Sequence, residues 1–229
     1  MSREIDLHNF QDGHWSCNAY LSYRDLGWHI LANGYFDAAN VLVGATLNPD
    51  FISKEYANYR NDDTGELLFH SSKDSAVYPI IFLYRHYIEV SLKNAIYTIK
   101  KLQFEDIKQL NEHSIQTYFQ TFKSAYIHLH KSKMYEMSKD PNFKELLKEL
   151  KRIENIIITI GELDDSSFTF RYPTDKEGEY IFSNNEMINI ENIADKMQDV
   201  KTFFEHLKCG FDMLEEVRQI YLKDIGQVY

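Results

Sequence analysis

Arg85, His86, Glu89 and Lys93 lie close together in the stretch PIIFLYRHYIEVSLKNAIYTIKK, which spans residues 79–101. At the helical period they share one strip, while Ile80, Ile81, Leu83, Tyr84, Tyr87, Ile88, Val90 and Ala95 occupy the rest of the circumference. Two cations, an imidazole and a carboxylate on one face admit two readings. One is a solvated face with Arg85–Glu89 and Glu89–Lys93 pairs, each contributing about 0.2–0.5 kcal/mol. The other is a cleft in which the cations meet an anion and His86 moves a proton. A second group, Asp164, Asp165, Ser167, Arg171 and Tyr172, lies where the sequence changes character. It reads either as an Arg–carboxylate anchor or as part of a site. Joined, the two groups give a specific hypothesis. Arg85 and Arg171 bind a phosphate, His86 or His113 carries the proton, and Glu89, Lys93, Asp164, Ser167 and Tyr172 hold the substrate.

No metal is expected. His128 and His130 stand two apart on a predicted helix and point in different directions, and there is no Cys/His constellation, glycine-rich phosphate loop or nucleophile elbow. No cofactor is expected either.

The elements that must position these residues are mostly helical. Trp28, Leu31, Ala32, Tyr35, Ala38, Ala39, Leu42 and Val43 predict a helix over residues 25–47, with Gly34 and Gly44 kept for close packing. A polar, turn-rich stretch over residues 50–77 follows, with a short helix near 51–59. The next helix is expected to start at Pro79 and end near Leu102. Ser114 is a natural N-cap for a helix running to about His130. Asp140-Pro141 opens another, which Gly161 is expected to close. Phe168, Phe170 and Tyr172 then alternate with Thr169 and Arg171, and Tyr180-Ile181-Phe182 follows a turn-forming run, which predicts a β-hairpin over 168–182. Residues 191–223 read as one long helix, or two joined at Gly210.

The chain has 229 residues, 16 Tyr and 15 Phe, enough for a single aromatic-cored domain preceded by an arm over residues 1–23. Two cysteines and an N-terminus without an apolar leader fit a reduced, cytoplasmic protein, and no apolar run is long enough for a membrane span. A net charge of −10 disfavours nucleic-acid binding through overall attraction. Residues 123–152 nevertheless carry eight basic and four acidic residues, read either as a solvated helix pair or as an RNA-facing patch.

The order of elements, the run FLYRHYIEVSLK (82–93) with its Glu-x-x-Leu-Lys, Glu112-His113-Ser114 before an amphipathic helix, and Asp164 to Pro173 ending Phe170-Arg171-Tyr172-Pro173 resemble the HEPN superfamily over about residues 25–223. The resemblance implies a helical bundle, a homodimer, and an RNA-cleaving or RNA-binding effector of a bacterial defence or toxin-type system, with a protein partner from the same system. Many such proteins are metal-independent endoribonucleases with an Arg-x4-6-His motif on a late helix. Here that spacing occurs at Arg3–His8 and Arg24–His29, near the N-terminus, and Arg85-His86 is similar only to the motif's start. The alternative is a catalytically inactive scaffold or binding subunit that recognises a protein partner or a nucleotide signal.

Overall fold

A computed structural model describes residues 27–48, 59–60, 67–69, 71–106, 110, 113–132, 135, 143–164, 169–172, 174, 177–182, 187–224 and 226. The protein is mainly α, a helical bundle built around one long element. That element is the second helix in a set of five: α1 Gly27–Leu47, α2 Ser71–Leu102, α3 Ile115–Lys131, α4 Phe143–Leu163 and α5 Ile190–Asp224. Helix α2 packs against each of the other four. It can do so because apolar residues surround most of it: Ile80, Ile81, Tyr84, Tyr87, Ile88, Leu92, Ala95, Ile96 and Ile99 are all buried. All but Ile81 join Ala32, Phe36 and Ala39 of α1, Phe119 and Phe122 of α3, Ile153 and Ile157 of α4, and Val200 and Phe203 of α5 in one cluster.

Helix α2 begins eight residues before the predicted start, so Pro79 lies inside it. The extra turns contribute Tyr78, whose ring meets Phe170 at 5.9 Å and Phe182 at 6.1 Å. Phe170 and Phe182 are themselves 5.5 Å apart, and the three rings dock the segment after α4 onto α2. Within that segment the described residues form turns and a single antiparallel bridge, Thr174 with Tyr180, where a laddered hairpin was expected. Strand pairing appears instead in the stretch predicted as loop: β1 Tyr59–Arg60 runs antiparallel to β2 Leu67–Phe69. Of the short helix expected near 51–59 only Tyr59 is described, and it lies in β1; the cap at Asp140-Pro141 and the arm at 1–23 lie outside the described residues.

Ser114 caps α3 as its sequence predicts, its hydroxyl accepting from the Thr117 amide at 3.2 Å. Helix α5 is continuous through Gly210. Gly161 does not close α4. It is buried within the helix, and a Cβ there would approach Gln116 of α3 to 2.9 Å, so the glycine serves a close helix crossing. Gly34 and Gly44 do the opposite of what was expected: both are exposed, with nothing within 4 Å of an added Cβ. Gly34→Ala is therefore expected to stabilise the fold by about 0.5–1 kcal/mol through helix propensity alone. Gly161→Ala should show no such gain, because displacing Gln116 also breaks its bond to the Ile158 carbonyl. Chemical-denaturation midpoints of the two variants check this, and a stabilised Gly161→Ala would contradict the close crossing.

Candidate functional site

The strip on α2 is not a solvated face. Arg85 is 0% exposed and Glu89 5%, so the pairs that would be weak at a surface sit in the interior. A guanidinium there must have its protons taken up, and three parts of the chain supply the acceptors. Arg85 Nη1 donates to Glu89 Oε2 at 3.0 Å and Nε donates to the Asp164 carbonyl at 2.8 Å. Its Nη2 donates to the carbonyl of His113. Asp164 also brings Oδ2 to 3.7 Å from Arg85 Nε, while its Oδ1 accepts from the Thr169 amide at 3.2 Å. One buried arginine thus ties α2 to the residue before the α3 cap and to the residue that ends α4.

Glu89 completes the network through Lys93, whose Nζ lies 2.7 Å from Oε1 and 5.1 Å from the Tyr118 ring centroid. Burial pushes the Glu89 carboxyl up, but the hydrogen bonds and charges of Lys93 and Arg85 outweigh it and hold the group below its usual range. Lys93 is raised for the reciprocal reason: burial opposes the charge, and Glu89 more than restores it. Arg85, Glu89, Lys93 and Asp164 are joined by three ion pairs between two cations and two carboxylates. This burial and pairing engage Arg85, Glu89 and Lys93 with one another in place of an open cationic face, and Asp164, 1% exposed, lies with them.

His86 faces a different environment. Its ring stacks on Phe82, one turn earlier, at 5.7 Å and 18°, and meets Tyr35 of α1 edge-on at 4.4 Å. Nδ1 is buried without a hydrogen-bond partner. Burial, followed by the neighbouring charges, pushes the imidazole below its ordinary pKa of 6.5, with Arg85, Lys93 and Arg171 reinforcing the effect and Glu89 opposing it. Arg171 reaches the same place from the segment after α4: its Cζ lies 5.9 Å from the Phe82 ring centroid. Arg171 and Tyr172 are exposed. Where Asp164 and Thr169 fix the start of the segment, the segment brings a surface guanidinium beside a neutral imidazole.

The chain matches no family model, no curated protein and no solved structure. The site rests on its own geometry. His86 and Arg171 both pack on the Phe82 ring, while Arg85, 0% exposed, is taken up by Glu89, Asp164 and the His113 carbonyl. His113 contributes its carbonyl to Arg85 while the residue itself is exposed. Ser167 lies outside the described residues. Phe82 and Tyr35 were missed. Phe82 precedes His86 by four, a spacing that puts the two rings on one helix face, whereas Tyr35 comes from another helix and leaves no such trace in sequence.

The other candidates dissolve into structure. His130 is buried edge-on against Tyr126 at 4.4 Å, away from exposed His128, and no metal-binding group of His, Cys, Asp or Glu occurs among the described residues. The basic stretch is partly neutralised: Lys123 pairs with Glu154, Lys148 with Glu145 and Arg152 with Asp199, each at 2.7 Å. Among the described residues no helix is long and apolar enough to cross a membrane.

Proposed function

We propose that the chain is a HEPN-like effector of a bacterial defence or toxin-type system that acts on RNA, with His86 as proton acceptor and Arg171 as the cation that meets the phosphate. The observation that carries this reading is the neutral imidazole and the exposed guanidinium converging on Phe82. A base must be neutral to take the proton of a ribose 2′-hydroxyl, and burial keeps His86 so at physiological pH. Nδ1 faces the interior, which leaves Nε2 for the transfer. As the 2′-oxygen bonds to phosphorus and the 5′-oxygen departs, taking a proton from solvent, Arg171 offsets the charge gathering on the phosphoryl oxygens. The adjoining exposed Tyr172 ring offers a surface on which a single-stranded base can stack. Asp164 acts through position, holding Thr169 and so the segment that carries Arg171.

A second reading, a binding subunit without catalysis that recognises a protein partner or a nucleotide signal, is favoured by one specific observation. Arg85, Glu89 and Lys93 are engaged with one another or with backbone carbonyls, and Asp164 pairs with Arg85. RNA cleavage by the purified chain separates the two. The first reading expects cleavage that survives a chelator and falls by about 10²–10⁴-fold in His86→Ala and Arg171→Ala at unchanged helicity. RNA binding weakened by Arg171→Ala, with no cleavage and no effect of His86→Ala, supports the second. Neither binding nor cleavage overturns the RNA reading.

A further inference from the structure

Helix α2 has a second polar strip, on the side away from Arg85. Tyr87, Ser91, Asn94 and Thr98 follow one another at steps of four, three and four, and the helical period sets them nearly opposite Arg85, Glu89 and Lys93. None of the four carries a charge. They line a cleft of about 190 Å³ where α1, α2 and α5 meet. Asn33 lines it from α1, and Phe204, Leu207 and Phe211 line it from α5. Phe204 stands edge-on to Tyr87, with ring centroids 6.1 Å apart and planes at 90°, so two aromatic rings form one corner. Clefts between the helices of a bundle that combine apolar walls with a few polar groups are places where small molecules bind. This one is below the roughly 300–1,000 Å³ of pockets that take drug-sized compounds, so what fits it is small.

The charges at the cleft decide the charge of its ligand. Glu205 and Asp212 line it against a single ammonium, Lys208, which lies 2.9 Å from Asp212. Two carboxylates and one cation leave one negative charge over, on Glu205. The neighbouring Lys201 stands 3.9 Å from Glu205 and is shared with Asp37 at 3.7 Å. Burial pushes the Tyr87 hydroxyl up, a hydrogen bond with Ser91 opposes it, and Glu205 and Asp37 add to the rise, so the field at that ring is negative. An anion is repelled from such a cleft. A cation gains the attraction of Glu205 and the faces of the aromatic rings. Its N–H groups also find uncharged acceptors in the side-chain carbonyls of Asn33 and Asn94 and in the Thr98 hydroxyl, which donates its own proton to the Asn94 backbone carbonyl at 2.9 Å.

We propose that the cleft between α1, α2 and α5 binds a small protonated amine, with the ammonium toward Glu205 and an apolar body against Phe204, Leu207 and Phe211. The site shares no residue with the His86 site and stands independently of the RNA reading.

Benzylamine, a cation at neutral pH, is the probe, titrated to about 20 mM into the full chain. Heteronuclear NMR is expected to show saturable shifts of the Asn33 and Asn94 side-chain amides. Benzyl alcohol, which keeps the shape without the charge, and phenylacetate, which reverses it, should each bind more weakly by about tenfold or more. Glu205→Gln should weaken benzylamine by a similar factor. Lys208→Gln should tighten it, because the change removes a competing cation and releases Asp212. Both positions are exposed on a helix, where glutamine is well tolerated. Asn33 and Asn94 amides that do not shift overturn the proposal, and so does benzyl alcohol binding as tightly as the amine. Affinity unchanged in Glu205→Gln, or no tighter in Lys208→Gln, overturns the assignment of the ligand's charge.

Discussion

Replacing Arg85 with methionine is expected to destabilise the fold by about 3–5 kcal/mol, a large share of the roughly 5–15 kcal/mol that holds a domain of ordinary stability. The loss does not come from apolar burial, since methionine fills much of the same space. It comes from what is left behind. Glu89 keeps Lys93 but loses Nη1, the Asp164 carboxylate loses its cation in a site with no side-chain exposure, and the carbonyls of His113 and Asp164 lose their donor. Arg85→Lys should recover little, because an ammonium is a point charge and cannot aim three donors at acceptors from residues 89, 113 and 164 together. Urea-unfolding midpoints measure both. The more telling variant is Arg85→Met combined with Glu89→Leu, which removes a charge of each sign and should be less destabilised than Arg85→Met alone. If the double variant is the worse of the two, the arginine is held by something other than its carboxylate. These variants also show why Arg85 is a poor test of catalysis: lost activity there would report lost structure.

The second large effect is a fall in stability on mild acidification, measured as a urea midpoint that drops between about pH 7.5 and about pH 5. His86 and His130 are both pushed below the ordinary 6.5, His86 by burial first and then by Arg85, Lys93 and Arg171 against Glu89, and His130 by burial. Each therefore binds a proton more weakly folded than unfolded. Above about 6.5 neither state is protonated and their stabilising contribution is complete. As pH falls toward the lowered folded values, the unfolded chain takes up protons that the folded chain refuses, and stability drops. Every tenfold weakening of proton binding corresponds to about 1.4 kcal/mol. Glu89 adds to the slope in the same direction at lower pH: held below its ordinary 4.5, it contributes fully above that value and loses its contribution as pH falls through the folded one. His130→Leu should flatten the upper part of the profile, since that ring packs against Tyr126. A midpoint independent of pH above 5 would mean that both imidazoles are protonated without cost.

Much of this was legible in sequence because α1, α3 and α5 announce themselves through apolar residues at three- and four-residue steps, and Ser114 is a cap by composition alone. The start of α2 was not. Its first turns read Ser-Ser-Lys-Asp-Ser-Ala-Val-Tyr, polar at the outset and followed by a proline that normally marks a first turn, and what makes them helical is tertiary: Ala76 and Val77 against the core and Tyr78 on Phe170 and Phe182. Gly161 misled for a related cause: a glycine that stops a helix and one that lets another helix approach carry the same letter. The charged strip was found correctly as residues and given the wrong surroundings. Helical spacing puts Arg85, Glu89 and Lys93 on one face, but whether that face is covered depends on residues 113 and 164, and no local pattern carries that information. The placing of Arg171 on the Phe82 ring, in a segment that Asp164 holds through Thr169, belongs to tertiary structure and leaves no local pattern.

The arginine clasp also constrains the order in which the bundle can assemble. Its acceptors lie 28 and 79 residues downstream, at His113 and Asp164, so the guanidinium cannot leave water at low cost until the end of α4 has arrived. Helices α1 and α2 are close in sequence and can meet early through Ala32, Phe36, Ala39 and Tyr84. Closing the far side of α2 waits on a contact 79 residues away. The arrival of the end of α4 is then the same event that brings Thr169 and Arg171 toward Phe82 and His86, so that a bundle lacking that end does not carry the imidazole and the guanidinium on one ring.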